Sequence, residues 1–217
     1  MKELKLIIGN KNYSSWSLRP WIWLQQHQIP FEEIRVPLYT KDTDSHLACY
    51  DSDHKVPILI NEKIQIWDTL AILEYLAELY PEKSAYPEDI NTRAIARSMC
   101  AEMHSSFMAV RSEMPMNCRR QPGKIELTPE AYKEIDRIQN VWAMARHNSE
   151  VSGGWLFGRF GLVDAMFAPV VMRFHSYKIE LDAKAKDYVN MVLQQPAVKL
   201  WVEDSIKEVE VIESEER

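Results

Sequence analysis

Cysteine is scarce in this chain: there are three in 217 residues, Cys49, Cys100 and Cys118. An odd, widely spaced set supports neither a disulfide framework nor a zinc knuckle, and no Cys-x-x-Cys pair exists for dithiol chemistry. Six glycines and eleven prolines are too few for a collagen-like or low-complexity chain. No Gly-x-Gly-x-x-Gly or Gly-x4-Gly-Lys-Ser/Thr run is present, which argues against a nucleotide phosphate cradle. Basic residues are outnumbered, 26 against 32 acidic, for a net charge of −6, so the broad positive footprint of a nucleic-acid binder is missing. Apolar runs fall far short of the roughly 18–20 residues that span a bilayer, and the opening MKELKLIIGN turns polar too soon for a signal peptide. A metal-free cytoplasmic protein with no membrane or nucleic-acid partner is expected. What is present is ordinary for a folded chain: 46% apolar and 27% charged residues, enough for one large domain or two small ones.

The first eighty residues mix strand and helix signals. Leu4 to Ile8 is short, apolar and strand-like, and Gly9-Asn10-Lys11-Asn12 breaks it. Leu18, Trp21, Ile22 and Leu24 recur at helical spacing, and Pro20, tolerated in a first turn, places the helix start near Ser17. Phe31 to Leu38 reads as a second strand and Asp42 to Tyr50 as a short irregular helix. Val56–Ile60 and Lys63–Trp67 flank Asn61-Glu62 as a hairpin. Asp68-Thr69 opens a helix carrying Leu70, Ile72, Leu73, Leu76 and Leu79, which Pro81 stops. The order β-α-β-α-β-β-α predicts a small α/β domain over residues 1–80. Residues 81–87 (PEKSAYP) read as a linker. Beyond them, over 88–217, come only helical stretches: about Thr92–Met114, Thr128–Asn148, Leu162–Tyr177 and Ala183–Gln194, a bundle of four or five helices with a charged tail, Glu203–Arg217, expected to fray. In the third stretch Val163, Phe167, Val170, Val171 and Phe174 are spaced as one buried face.

Three junctions could carry chemistry. Tyr13-Ser14-Ser15-Trp16-Ser17 lies between the first strand and the first helix, where free backbone N–H groups and the helix dipole favour an anion. A serine here donates to a bound thiolate, carboxylate or phosphate, or Ser15 or Ser17 caps the helix. Lys55-Val56-Pro57 puts a proline in a strand-like run: either a trans proline at a strand start, or a cis bond that turns the Val56 backbone toward an extended ligand. Trp67-Asp68-Thr69 offers a helix cap, or a seat for an amino acid end, with its ammonium on Asp68.

In order along the chain, a serine after the first strand, Val56-Pro57, and Asp68-Thr69 heading LAILEYL resemble the soluble glutathione transferase family, as does Asp164-Ala165 near the start of a late helix. The resemblance covers nearly the whole chain. It implies a thioredoxin-like first domain with a cis Val56-Pro57 bond, then an all-helical domain. It further implies Asp68-Thr69 as the holder of the γ-glutamyl end of glutathione, and a homodimer engaged in detoxification. Ser14-Ser15 matches the paired serines of the zeta class and its maleylacetoacetate isomerases. The chain departs from that class where Trp16 replaces a cysteine and Leu18 a tryptophan; Arg19 keeps a basic position. Gly161 stands where a serine or threonine cap is expected.

The implied chemistry is transfer of glutathione to a small electrophile. A free thiol ionises near about pH 8.5, and a donated hydroxyl beside a helix N-terminus stabilises the thiolate. Ser14 is the first candidate donor, Ser15 the second and Tyr13 the third. Lys41, Lys55 and His54 are candidate partners of the glycine carboxylate. His104, Phe107, Met108 and Arg111 are expected to line the electrophile pocket, or, for the apolar two, the core. Arg119-Arg120 reads as an anion-attracting cluster or a solvated helix end, and Cys49 as a small buried hydrophobe. A zeta-type cis–trans isomerase and a non-catalytic binding module are the alternative readings.

Overall fold

The computed structural model describes residues 4–149 and 153–217. Strand β1 (Leu4–Ile8) alternates cleanly: Leu4, Leu6 and Ile8 enter the main core, while Ile7 joins Val36, Leu47 and Ile58 in a smaller cluster on the other face. Helix α1 (Ser15–Gln26) comes next, then β2 (Phe31–Arg35), α2 (Thr43–Leu47), β3 (Ile58–Asn61), β4 (Ile64–Trp67) and α3 (Thr69–Leu79). The sheet order is β2-β1-β3-β4, with β1 parallel to β2 and antiparallel to β3, and β3 antiparallel to β4. This is the thioredoxin-like β-α-β-α-β-β-α order expected from the sequence.

Local details differ from those expectations. Asn61 pairs with Ile64, so the hairpin turn is Glu62-Lys63, one residue later, with Glu62 left-handed at φ 58°. Strand β2 ends at Arg35, before Pro37, which cannot donate to a ladder. Helix α1 begins at Ser15, which leaves Pro20 in its second turn.

After a 3-10 turn at Pro81–Lys83 the described residues form six α-helices and no strand: α4 (Ile90–Ser105), α5 (Met108–Glu113), α6 (Pro129–His147), α7 (Leu162–Ser176), α8 (Ala183–Leu193) and α9 (Pro196–Ile206), with one isolated Phe157–Arg159 bridge. The expected helix over Thr92–Met114 is thus two. Ser106 is extended and Phe107 left-handed at φ 62°, and Arg111 of α5 folds back so that its Nη2 donates to the Met103 and His104 carbonyls freed at the end of α4. Helix α6 starts as the sequence indicates, Thr128 Oγ1 accepting from Ala131 N at 3.3 Å with Pro129 in the first turn. Helix α7 buries every residue but His175, not one face only, because α1, α4 and α8 all pack against it.

The tail is ordered, contrary to expectation. Helix α9 buries Trp201, whose Nε1 donates to the Lys11 carbonyl at 2.8 Å and whose ring meets Trp21 edge-on. Beyond it, the Glu208 carboxylate accepts from the backbone N–H groups of Lys11 (2.7 Å) and Asn12 (3.0 Å), and Ile212 is buried. Charge here makes tertiary bonds instead of seeking solvent.

Gly161 has a steric reason. A Cβ there would stand 2.8 Å from the Ala85 carbonyl oxygen, which already accepts from Leu162 N. The cap is supplied by Asp164, whose carboxylate accepts from Gly161 N (3.0 Å), Leu156 N (3.1 Å) and Tyr188 OH (3.0 Å). Burial pushes Asp164 up to about 6, the three bonds opposing it. Asp164→Ala strands three donors, two of them fully buried, and is expected to cost about 3 kcal/mol in urea unfolding. An acid that ionises near pH 4 unfolded and about 6 folded binds its proton more tightly when folded. Its contribution therefore falls as pH rises through that window, and the variant should lose that component of the stability–pH slope.

Candidate functional site

The sheet register gathers the three junctions. Ile7, next to the end of β1, pairs with Ile58 at the start of β3, and Ile58 pairs with Trp67 at the end of β4. The loop after β1, the Val56-Pro57 bond before β3 and Asp68 after β4 therefore meet at one end of the sheet, at the N-termini of α1 and α3. Open α/β sheets collect ligands at such ends. The Val56-Pro57 peptide is cis, and among the described residues no hydrogen bond is made to the Val56 N–H or C=O.

Ser14 occupies the N-cap position of α1, yet its hydroxyl caps nothing. It donates to Ser17 Oγ at 2.7 Å, and Ser17 Oγ also accepts from Gly9 N at 3.1 Å. Ser15 Oγ accepts from Arg173 Nη2 at 3.3 Å, and the Ser15 carbonyl from Arg19 Nη1 at 2.8 Å. Tyr13 OH lies within the tail, bonded to Glu216 and Arg119.

Asp68 is left-handed, φ 70°, with both oxygens engaged: Oδ1 accepts from Leu70 N and Ala71 N, and Oδ2 stands 2.6 Å from His104 Nε2. His104 thus meets Asp68 as well as Trp16, whose ring it contacts edge-on. Thr69 is 1% exposed, and its hydroxyl is committed to structure. Pro20 has no N–H to bond the Trp16 carbonyl one turn earlier, and Thr69 Oγ1 supplies the missing donor at 3.0 Å. That bond fastens α3 to the first turn of α1.

The remaining sequence candidates scatter. Lys41 and Lys55 are exposed, Lys55 pairing with Asp53 at 2.9 Å, while His54 faces Asp44 at 3.3 Å. Phe107 is buried in the core, whereas Met108 is 63% exposed with its sulfur 3.9 Å from Arg111 Nη1. Arg119 and Arg120 are neither a solvated end nor an open anion site: Arg119 binds the Glu208 and Glu210 carbonyls, Arg120 those of Ser176 and Arg217. Cys49 is exposed, not buried. Burial pushes the Cys100 and Cys118 thiols up to about 12, which removes them as nucleophiles near neutral pH.

Arg19 and Arg111 are candidates from the sequence, whereas periodicity and motif give no sign of Arg173. Arg19, Arg111 and Arg173 converge around Ser15-Trp16, with the Arg19 and Arg111 guanidinium carbons 4.3 and 4.8 Å from the centre of the Trp16 ring. Among the described residues none of the three forms an ion pair. Burial first, and then mutual repulsion, holds Arg19 well below its usual range and brings Arg173 down to about 10. This end of the molecule is a partly buried corner in which three guanidinium groups face one carboxylate, Asp68, an excess of positive charge that suits an anion. A cavity of about 180 Å³ touching Tyr86, Asp89, Thr92, Arg159 and Asp164 is a separate feature. Thr92 lies twelve residues, or about 18 Å of helix, from His104.

Such an architecture, a thioredoxin-like sheet whose ligand end faces a helical region, is shared with glutathione transferases. Residues 13–79 match the family model described as glutathione S-transferase, N-terminal domain. A probable maleylacetoacetate isomerase of Caenorhabditis elegans is 31% identical over 99 residues, 46% of each chain. The maleylacetoacetate isomerase of Rattus norvegicus is 29% identical over 128 residues, 58% of this chain and 57% of its own. The chain spans about half the length of these curated relatives. A crystal structure of a glutathione transferase homolog from Burkholderia, with bound glutathione, has the same fold: TM-score 0.69 at 22% identity, covering 94% of this chain and 98% of that one. Residues 13–79 thus carry the glutathione S-transferase N-terminal domain, and over about half its length the chain is similar to maleylacetoacetate isomerases.

Thr69→Val keeps shape but leaves the Trp16 carbonyl unpaired. It is expected to lower unfolding free energy by about 1–2 kcal/mol in urea titration, while Thr69→Ser stays within about 0.5 kcal/mol of the parent.

Proposed function

We propose that the protein is a glutathione transferase in which a hydroxyl of the Ser14-Ser15 pair stabilises the glutathione thiolate for attack on a small electrophile. The observation that carries this reading is the meeting, at one sheet end, of the paired serines, an unpaired Val56 backbone and the Asp68 carboxylate. Glutathione is an extended peptide with a carboxylate and an ammonium at one end and a thiol in the middle. The Val56 N–H and C=O would pair with its backbone in the manner of an added strand. Asp68 would take the ammonium, sharing its Oδ2 with His104, and the N-terminal turn of α3 would face the carboxylate. The sulfur would then lie at the opening of α1, where dipole, serine hydroxyl and the surrounding guanidinium groups all favour the anion. Lys41, His54 and Lys55 remain candidates for the glycine carboxylate.

In this proposal residues 1–80 bind glutathione and residues 88–217 supply the electrophile pocket, with His104, Met108 and Arg111 at its mouth and Phe107 behind them. The family resemblance further suggests a cytoplasmic homodimer acting in detoxification.

The deciding experiment is retention on immobilised glutathione together with ultraviolet titration of the bound thiolate. Ser14→Ala/Ser15→Ala is expected to bind glutathione but to return its thiol to a pKa near about 8.5, at least tenfold less thiolate at pH 7. An unchanged thiolate pKa overturns the serine assignment, and a parent chain that is not retained favours a non-catalytic module.

The two isomerase relatives favour a second reading, a zeta-type glutathione-dependent cis–trans isomerase. Against it stands Trp16 at the cysteine position of that class. Conjugation of simple aryl halides at rates at least tenfold above background is expected of the transferase, and turnover of a maleyl compound without conjugation would establish the isomerase.

A further inference from the structure

The two serines are not equivalent. Ser14 is 9% exposed, and its proton is committed to Ser17 Oγ in a buried chain that begins at Gly9 N–H. Turning that proton toward a ligand would break the chain. Ser15 is half-buried; its oxygen accepts from Arg173 Nη2, and among the described residues nothing accepts its proton. Arg173 comes from α7, is 5% exposed, and is anchored through Nε to the Met114 carbonyl at 2.8 Å. Arg19 holds the Ser15 carbonyl and is itself anchored through Nε to the Met166 carbonyl of α7 at 2.9 Å. Ser15 is therefore held at carbonyl and hydroxyl oxygen by two guanidinium groups, with one hydrogen left to give.

A hydroxyl whose oxygen accepts from a cation is a stronger donor, because the bonds polarise one another in a dry environment. We propose that Ser15, rather than Ser14, donates to the glutathione sulfur, and that Arg173 is the positioning residue that sets the Ser15 hydroxyl and passes its charge to the thiolate. This rests on the glutathione-binding role proposed for the same sheet end. The thiol proton leaves to solvent, the electron pair stays on sulfur, and Ser15 keeps its own proton throughout. The other charged or titratable groups facing this corner are Arg19 of α1, Arg111 of α5, His104 of α4 and Asp68 before α3. Behind Arg173 stand Cys118, Tyr177 and Glu215.

The test is a thiolate absorbance titration of glutathione bound to the full chain, with melting curves run alongside. Ser15→Ala should raise the thiol pKa by one to two units, about 10- to 100-fold less thiolate at neutral pH, and Ser14→Ala by no more than about 0.3 unit. Arg173→Met should raise it by about one unit in the parent and by no more than about 0.3 unit in the Ser15→Ala background, the non-additivity of a relay through one hydroxyl. Arg173→Lys, which keeps the charge on a shorter reach, should fall between; it decides the matter if Arg173→Met does not fold. Three results overturn the proposal. Ser14→Ala carrying the whole shift while Ser15→Ala is silent leaves the serine-thiolate reading standing but moves the donor. An arginine substitution that shifts the pKa equally with and without Ser15, or not at all in the parent, removes the relay. Silence of both serines overturns the underlying reading as well.

Discussion

The packing of α1 against α7 is held by a reciprocal pair of buried arginines. Arg19 of α1 donates to a carbonyl in α7, and Arg173 of α7 donates to a hydroxyl in α1. A buried cation without an ion-pair partner is costly unless hydrogen bonds offset its lost hydration; here both guanidinium groups donate to carbonyls, Arg173 also to the Ser15 hydroxyl, and Arg19 lies over the Trp16 ring. That arrangement ties the first turn of α1 to the helical region, and it leaves an excess of positive charge next to Ser15, offset in part by Asp68 and Glu215. Structure and electrostatics of the site come from the same two side chains.

Around this clamp the α1 opening is secured from every side. Thr69 replaces the N–H that Pro20 lacks, fastening α3. Glu208 reaches back across 197 positions of sequence to the Lys11 N–H, and Arg119 gathers the Glu208 and Glu210 carbonyls. In the proposed role, where the segment presents a hydroxyl to a ligand, such redundancy is an advantage, since a loose first turn would lose orientation before it lost binding. Function in this reading is spread over both halves of the chain: a sheet end that recognises a peptide, and helices that charge it.

Legibility in the sequence tracks range. Helix starts set by local chemistry, such as Thr128-Pro129, can be read directly because the capping bond spans three residues. The succession of strands and helices along the first domain is legible because turns and periodicity are local. Gly161 looks in sequence like a weak cap, whereas the neighbour that demands glycine, the Ala85 carbonyl, is 76 residues away. The break at Phe107 is invisible to periodicity because Arg111 reaches back to carbonyls whose release no propensity signals. The ordered tail is equally hidden, since charge density looks the same whether the partner is water or the backbone N–H groups of Lys11 and Asn12.

The β-α-β-α-β-β-α order and the helical character of the second half are written in local sequence signals. The same signals bring Ser14-Ser15, Val56-Pro57 and Asp68-Thr69 forward as the residues to watch, since caps, breakers and apolar periods act within a few positions of the chain. The partner of each hydroxyl is set by the folded chain. Thr69 turns to the Trp16 carbonyl, Ser14 to Ser17, and Ser15 meets Arg173 from 158 residues away. A hydroxyl's hydrogen goes to the best acceptor in space, and in a folded chain that acceptor has no fixed distance along the sequence.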